Sequence, residues 1–394
     1  MINSKKKGFT IVELVIVIAV VAILAAVLIP TFSNLVKKAN IANDTVVAKN
    51  MNTALAEYTA LNGKPEDFEE VLTAIEEAGY VLANLNAKAG GSLYGWDEKN
   101  NQIVYIDEEG NVIYQNIEFN NEDIKFVVAN SNVALPSWAD QNSIVDMSKP
   151  AGPKALIGAL EAGMDVVLTV DVELSRTVNI PESASIELDL NGKTISVGEP
   201  EPTSGRSDYA IDNYGTITIK NGTIIGRGIE NFGTMTIKSS VTIEAVDSNG
   251  GASVWNEGVL TIEGGTFLAE NGMLLENGYT KGGTCVYNDG GQVTINGGTF
   301  KGNDYAYAIT NNSNGTMKIN NCNVTTGRGA VAINNGTVEI TGGTFTAEGK
   351  NGSHGIYVAG GTLTIGGTAI LTYTGTNQEI YKNDNATVND NRNK

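Results

Sequence analysis

Gly258-Val-Leu-Thr-Ile-Glu-Gly-Gly-Thr-Phe267 is the stretch that decides how most of this chain folds. Leu260 and Ile262 alternate with Thr261 and Glu263, the period-two pattern of a strand with one buried face. Gly264-Gly265 then makes a tight corner, and a second short strand ends in Phe267. The unit recurs as Gly215-Thr-Ile-Thr-Ile-Lys-Asn-Gly-Thr-Ile224, Gly291-Gln-Val-Thr-Ile-Asn-Gly-Gly-Thr-Phe300 and Gly336-Thr-Val-Glu-Ile-Thr-Gly-Gly-Thr-Phe345, with weaker copies from Gly233, Gly315 and Gly361. Successive starts lie 18 to 33 residues apart. That period belongs to stacked units that bury their apolar face only against neighbours.

A third strand precedes each unit: Ala210-Ile211-Asp212-Asn213, Val254-Trp255-Asn256 and Val286-Tyr287-Asn288. Three short strands and three corners per turn describe a parallel β-helix. Asn213, Asn231, Asn256 and Asn288 fall at one corner of successive coils, where stacked amides can satisfy one another, so an asparagine ladder is expected. A helix at 154–162 is expected to cover the first coil's exposed edge. In architecture, though in no motif, this region resembles the right-handed β-helix of pectate-lyase-like proteins. Such a likeness implies a fold and not a chemistry.

Residues outward from the repeats read differently. Only 10 of the 46 glycines precede residue 191, which marks two kinds of architecture in one chain of 394 residues. The formal net charge of −18 repels nucleic acid and anionic headgroups, so no nucleic-acid partner is expected for the main body. One histidine, His354, leaves no material for a His-rich metal site or a His-based triad, and no metal or cofactor is expected. Cys285 and Cys322 allow one disulfide, although two thiols in a large domain are more often unpaired.

At the N-terminus Lys5, Lys6 and Lys7 precede an apolar run from Phe9 to Pro30. About 21 residues at ~1.5 Å each span one hydrocarbon layer, and the lysines hold the N-terminus on the cytoplasmic side. An ordinary secretory signal ends in small residues and a cleavage site. Here Pro30, Thr31 and Phe32 follow, and helical spacing continues through Val36, Ile41, Ala48, Met51, Leu55 and Tyr58 to a stop at Asn62-Gly63-Lys64-Pro65. Glu13 interrupts the apolar run; a carboxylate at that depth costs several kcal/mol (~3 on insertion scales) and calls for a partner.

Lys7-Gly8-Phe9-Thr10-Ile11-Val12-Glu13-Leu14 resembles the prepilin leader and cleavage motif of type IV pilins and their pseudopilin relatives. The resemblance covers roughly residues 5–60. It implies that a membrane prepilin peptidase cuts after Gly8 and methylates Phe9. It also implies that Glu13 neutralises the α-amino group of a neighbouring pilin subunit, and that Pro30 stands where the family places a helix-kinking proline. The chain then waits in the cytoplasmic membrane as a single-pass protein and is assembled into a cell-surface pilus.

The resulting fold class is an α+β pilin-like N-terminal part followed by an all-β right-handed parallel β-helix solenoid. The N-terminal part is a long helix plus a second helix at 65–78 and a small antiparallel meander. The order is a leader at 1–8, a transmembrane and assembly helix at 9–62, a head at 63–135, a linker at 136–153, the β-helix at 154–382 and a disordered tail at 383–394. Asp107, Glu108 and Glu109 read as a solvated hairpin turn in preference to a calcium site.

Glycan hydrolysis needs paired carboxylates and elimination a base beside metal-binding acids. The repeats offer only scattered Arg206, Arg227 and Arg328 and no compact acidic motif, so no catalytic residue and no enzyme is expected. The Thr-x-Thr pattern resembles ice-binding β-helices but is clean only at 216/218, 234/236 and 362/364, as on an ordinary solvated face. The residue before each corner asparagine should point outward: Asp212, Glu230, Trp255, Tyr287 and Thr310, with Tyr357 further on. Of these Trp255, Tyr287 and Tyr357, with Asp212 and Glu230 nearby, are the candidate ligand-binding residues, the aromatics stacking on surface glycans. The expected function is a minor or tip pilin displaying a non-catalytic adhesive module. The alternatives are a pseudopilin of a secretion or DNA-uptake machine and a surface-tethered polysaccharide lyase or hydrolase.

Overall fold

The computed structural model describes residues 11–80, 85, 87–114, 124–128, 144–146, 152–197, 209–246, 251–269, 272–274 and 280–392. The chain divides into two compact units, the second made mainly of residues 145–394.

In the first unit, helix α1 runs unbroken from Ile11 to Asn62 with Pro30 inside it. Its first half leaves Ile11, Leu14, Ile18, Leu24 and Phe32 at least half exposed, as a span meant for lipid or other helices must. Its second half buries Ala48, Met51, Ala54 and Leu55. Helix α2, Phe68–Glu77, starts three residues later than proline placement suggests. Asp67 caps it by accepting from the Glu70 amide at 3.0 Å, and Val71, Leu72, Ala74 and Ile75 are buried. The expected meander is present as antiparallel strands 93–97, 102–106 and 112–114.

Two further strands, 124–128 and 144–146, complete a five-stranded sheet. Within the linker expected over 136–153, Ile144-Val145-Asp146 is instead a strand of that sheet, while 136–143 and 147–151 lie outside the described residues. The strand's two β-branched residues are too short a run to show periodicity. The turn Asp107–Asn111 is closed by the Asp107 carboxylate, which accepts from the amides of Glu109 at 2.9 Å and Asn111 at 2.8 Å. Partial burial alone would raise that carboxyl, but bonds from Asn111 and Glu109 hold it below the usual range.

The second unit is the right-handed parallel β-helix, with three parallel sheets of nine, nine and ten strands. Helix α3, Pro153–Glu161, turns Ala155, Leu156, Ile157, Ala159 and Leu160 into the core at the first coil. Along the ten-stranded sheet Ile219, Ile237, Ile262, Ile295, Ile319, Ile340 and Ile365 stack in register, all buried. Phe267 and Phe300 stack likewise on a neighbouring sheet, ring centres 4.8 Å apart.

The glycine opening each repeat is there for close approach: a Cβ on Gly258 would lie 2.1 Å from the Gly233 carbonyl oxygen of the coil before. Cys285 and Cys322 are both buried and unbridged. Burial pushes the Cys322 thiol up to about 12. The tail expected to be disordered is corrected through Arg392. Strand 387–390 joins the ten-stranded sheet, with the Thr387 amide on the Gly361 carbonyl at 2.9 Å and the Asn391 amide on Ile365 at 2.7 Å. A parallel rung is held by backbone bonds to the coil below, so a polar composition there need not mean disorder.

Candidate functional site

Strand geometry makes the site. On the sheet carrying strands 211–213, 229–231, 252–256, 284–289, 309–312, 331–333, 356–358 and 380–382, every second side chain points out. Register aligns Asp212, Glu230, Trp255, Tyr287, Thr310, Ala332, Tyr357 and Tyr381 into one outward row. Immediately C-terminal to each outward residue in the first half of this row stands a buried asparagine. Asn213 Nδ2 donates to Asn231 Oδ1 at 2.7 Å, Asn231 to Asn256 at 2.7 Å, and Asn256 to Asn288 at 2.8 Å. Asn288 donates onward to Asn311 at 2.7 Å, a fifth member that the repeat alignment did not single out. The ladder holds the corner beneath the row and so fixes the pitch of what stands on it.

The outward row is not uniform. Trp255 and Tyr287 stack with ring centres 4.2 Å apart. Tyr357 and Tyr381 stack at 5.6 Å and only 2° from parallel, with His354 on Tyr381 at 4.4 Å. Between the pairs stand two small side chains, Thr310 and Ala332. Tyr287 and Tyr357 are three rungs apart, roughly 14 Å at ~4.8 Å per rung. The result is a cleft of about 530 Å³ whose lining includes Trp255, Tyr287, Thr310, Ala332 and Tyr357. Asp212 and Glu230 continue the row beyond Trp255 but do not line the cleft.

The remaining lining comes from Thr284, Tyr305, Ala306, Tyr307, Arg328 and Asn334, none of which sequence reading placed at a site. Asn303 organises the wall formed by Tyr305, Ala306 and Tyr307. Its amide donates to the carbonyls of Ala269 at 2.6 Å and Gly283 at 2.9 Å, while its Oδ1 accepts from the amides of Tyr305 and Ala306 at 2.8 Å. Tyr305 and Tyr307 are thereby presented to the cleft, and the Arg328 guanidinium lies over the Tyr307 ring at 5.4 Å. The only sequence signal for this wall was Tyr305-Ala-Tyr307 between two rungs.

The aromatic tips are oriented. Trp255 Nε1 donates to Glu257 Oε1 at 3.3 Å, and the Tyr287 hydroxyl accepts from Asn312 Nδ2 at 3.1 Å. Burial raises the Tyr287 phenol, helped by Asp289 and opposed by Asn312. Burial also raises the Tyr307 phenol, against a bond from the His354 amide and the Arg328 charge. Both are therefore neutral at physiological pH, and Arg328 is the charged residue among the described lining residues. Rigid aromatic faces flanking a small-residue floor suit a flat ligand with one apolar face and a polar rim.

Of the other predicted positions, Gly8 and Phe9 lie outside the described residues. Glu13 stands in the first turn of α1, and Thr31 beside Pro30 donates to the Val27 carbonyl at 2.9 Å. Sequence reading missed Asp44 and Asn52, both on α1. Asp44 is buried and accepts from the Ala89 amide at 2.8 Å and the Tyr105 hydroxyl at 3.3 Å. Asn52 pairs with both backbone groups of Ile103, donating at 2.7 Å and accepting at 2.9 Å. It takes the place of a strand neighbour, and these two contacts tie the helix to its sheet. Among the described residues no group of three or more His, Cys, Asp or Glu side chains is placed to hold a metal.

Residues 3–29 match the family model of the prokaryotic N-terminal methylation motif. The chain is 41% identical over 66 residues to the type IV major pilin protein PilE1 of Neisseria gonorrhoeae, which is 16% of this chain and 40% of that protein. It is 59% identical over 49 residues to the type IV wide pilus major component PilA4 of Thermus thermophilus, 12% of this chain and 35% of the relative. It is also 38% identical over 91 residues to a fimbrial protein of Neisseria meningitidis, 22% and 54% respectively. The chain thus spans about 40% of the length of the first relatives it matches. No solved structure matches it. The N-terminal region carries a prepilin motif and has type IV pilins as homologues. That motif with its apolar helix fits a precursor anchored in the membrane and later displayed on the cell surface in a pilus.

Proposed function

We propose that this chain is a minor or tip subunit of a type IV pilus-like filament, displaying its β-helix as a non-catalytic glycan-binding module. Prepilin peptidase cuts after Gly8 and methylates Phe9, and α1 then packs with the helices of other pilin subunits. In that packing Glu13 neutralises the α-amino group of a neighbour, since a buried carboxylate and a buried ammonium each lower the other's desolvation cost. A solenoid from about residue 154 onward on every subunit would crowd a dense fibre, which favours a tip or sparse position.

The observation that carries the binding role is the cleft between Trp255–Tyr287 and Tyr357–Tyr381, three rungs apart over Thr310 and Ala332. Pyranose rings present an apolar face to such aromatic walls and hydroxyls to the rim. The test is retention of the full chain, in neutral detergent, on an immobilised saccharide array, with Trp255→Ala in parallel. Saccharide-dependent retention that Trp255→Ala weakens at least tenfold is expected. Retention on no saccharide would end the adhesive reading, and release of shortened oligosaccharides would replace it with an enzyme. Immunogold labelling of intact cells tests the placement, expected at fibre tips or at sparse positions along fibres.

A further inference from the structure

We infer that the glycan held in this cleft carries an isolated carboxylate, as in a sialylated or uronate-containing oligosaccharide, and that Arg328 reads it. This rests on the glycan-binding reading above and deepens it. Arg328 stands at Thr326-Gly-Arg-Gly329, at the end of strand 323–326, and lines the cleft beside Tyr305 and Tyr307. Its guanidinium can present five N–H donors. The structure uses Nη1 on the Tyr305 carbonyl, and the buried Nε makes no hydrogen bond.

Among the described residues no carboxylate is paired with Arg328. Asp304, on the same wall, is engaged by Lys350 Nζ at 2.9 Å. Among the described residues no Asp or Glu lines the cleft, in a chain whose formal charge is −18. A half-buried cation with unused donors and no counter-ion is costly unless a ligand supplies the anion. Stacking on the Tyr307 ring orients its planar fork, so a bidentate carboxylate is the matching partner.

The surrounding charge limits the ligand further. Attraction to one arginine acts at contact, whereas the field of the acidic body reaches about 8 Å at physiological salt. A long polyanion such as heparin therefore meets net repulsion, and a mostly neutral oligosaccharide with one acidic sugar does not. The cleft's length, roughly 14 Å between aromatic walls, leaves room for such a short segment.

The experiment compares lactose, sialyllactose, digalacturonic acid and heparin by titration calorimetry on the detergent-solubilised full chain. At least one of the two carboxylated probes should bind about ten- to a hundredfold more tightly than lactose, the range for a charge-assisted hydrogen bond. Which of them does so separates sialate from uronate. In Arg328→Gln the preference for the carboxylated probe over lactose should fall to about onefold. Ala332→Trp, which fills the floor and leaves Arg328 in place, should abolish binding of every saccharide, and circular dichroism checks that both variants remain folded. Absence of the preference, its survival in Arg328→Gln, or tightest binding of heparin would each overturn the inference. Saccharide binding that persists in Ala332→Trp would instead overturn the cleft reading on which it rests.

Discussion

Replacing Asn256 by alanine should destabilise the β-helix about twice as much as the same change at Asn311. Both amides are buried in the same ladder, yet their removal leaves different damage. Asn256 Oδ1 accepts from Asn231, and its Nδ2 donates to Asn288 Oδ1 at 2.8 Å, to Gly258 at 3.1 Å and to Gln292 at 3.4 Å. Without it, Asn231 Nδ2 keeps the Val259 and Gly233 carbonyls, at 3.1 and 3.3 Å. Asn288 Oδ1 loses its ladder donor inside the core, at about 1–3 kcal/mol for an orphaned acceptor, and the net loss of the remaining bonds adds about 1 kcal/mol.

The expected total is about 2–4 kcal/mol. Asn311 sits at the ladder's end and donates only to the carbonyls of Gly315 and Asn335, both at 2.8 Å. Its loss leaves Asn288 Nδ2 still on Gly291 at 2.9 Å, and no ladder acceptor is stranded. About 1–2 kcal/mol is expected there. Urea unfolding of the full chain, followed by far-UV circular dichroism, measures both, and amide hydrogen exchange locates the loosened rungs. Equal losses, or a loss below about 0.5 kcal/mol at Asn256, would refute the claim that amide-to-amide bonds hold this corner.

Gly258→Ala should be worse than either, because its Cβ would sit 2.1 Å from a backbone oxygen; limited proteolysis should find new cleavage near that coil. Burial pushes the Tyr209 phenol up to about 12, with the Arg227 guanidinium opposing. Its neutral form is therefore favoured in the folded state, and the stability this contributes is complete below pH ~10 and lost as pH rises toward about 12. Tyr209→Phe should flatten that part of the alkaline profile of urea midpoints, by up to about 2–3 kcal/mol. In the first unit, Asn52→Ala should cost about 1–2 kcal/mol and lower the thermal midpoint, since it strands both backbone groups of Ile103. Mass spectrometry of the mature protein should find a methylated Phe9 at the N-terminus. Glu13→Ala should reduce filament incorporation at least tenfold on immunoblots of sheared surface fibres.

The Phe9–Pro30 run and the repeats were legible without coordinates because each signal is local and periodic. An apolar length matches a bilayer, and strict alternation on a fixed repeat admits one way to bury isoleucines. The same register placed the ladder asparagines and made Trp255, Tyr287 and Tyr357 face outward. Tertiary structure decided what register alone does not carry. The wall bearing Tyr305 and Tyr307 is positioned by Asn303 bonds to carbonyls 20 and 34 residues away. Arg328 joins it from the next coil. Asp44 and Asn52 look like ordinary polar positions on a helix until the sheet supplies their partners. The polar last strand is ordered by hydrogen bonds to a coil 25 residues earlier, a stabilisation that composition does not register. Sequence determined which faces exist, because side-chain alternation is intrinsic to the backbone. Only the stacked coils decided which residues from separate turns meet in one cleft.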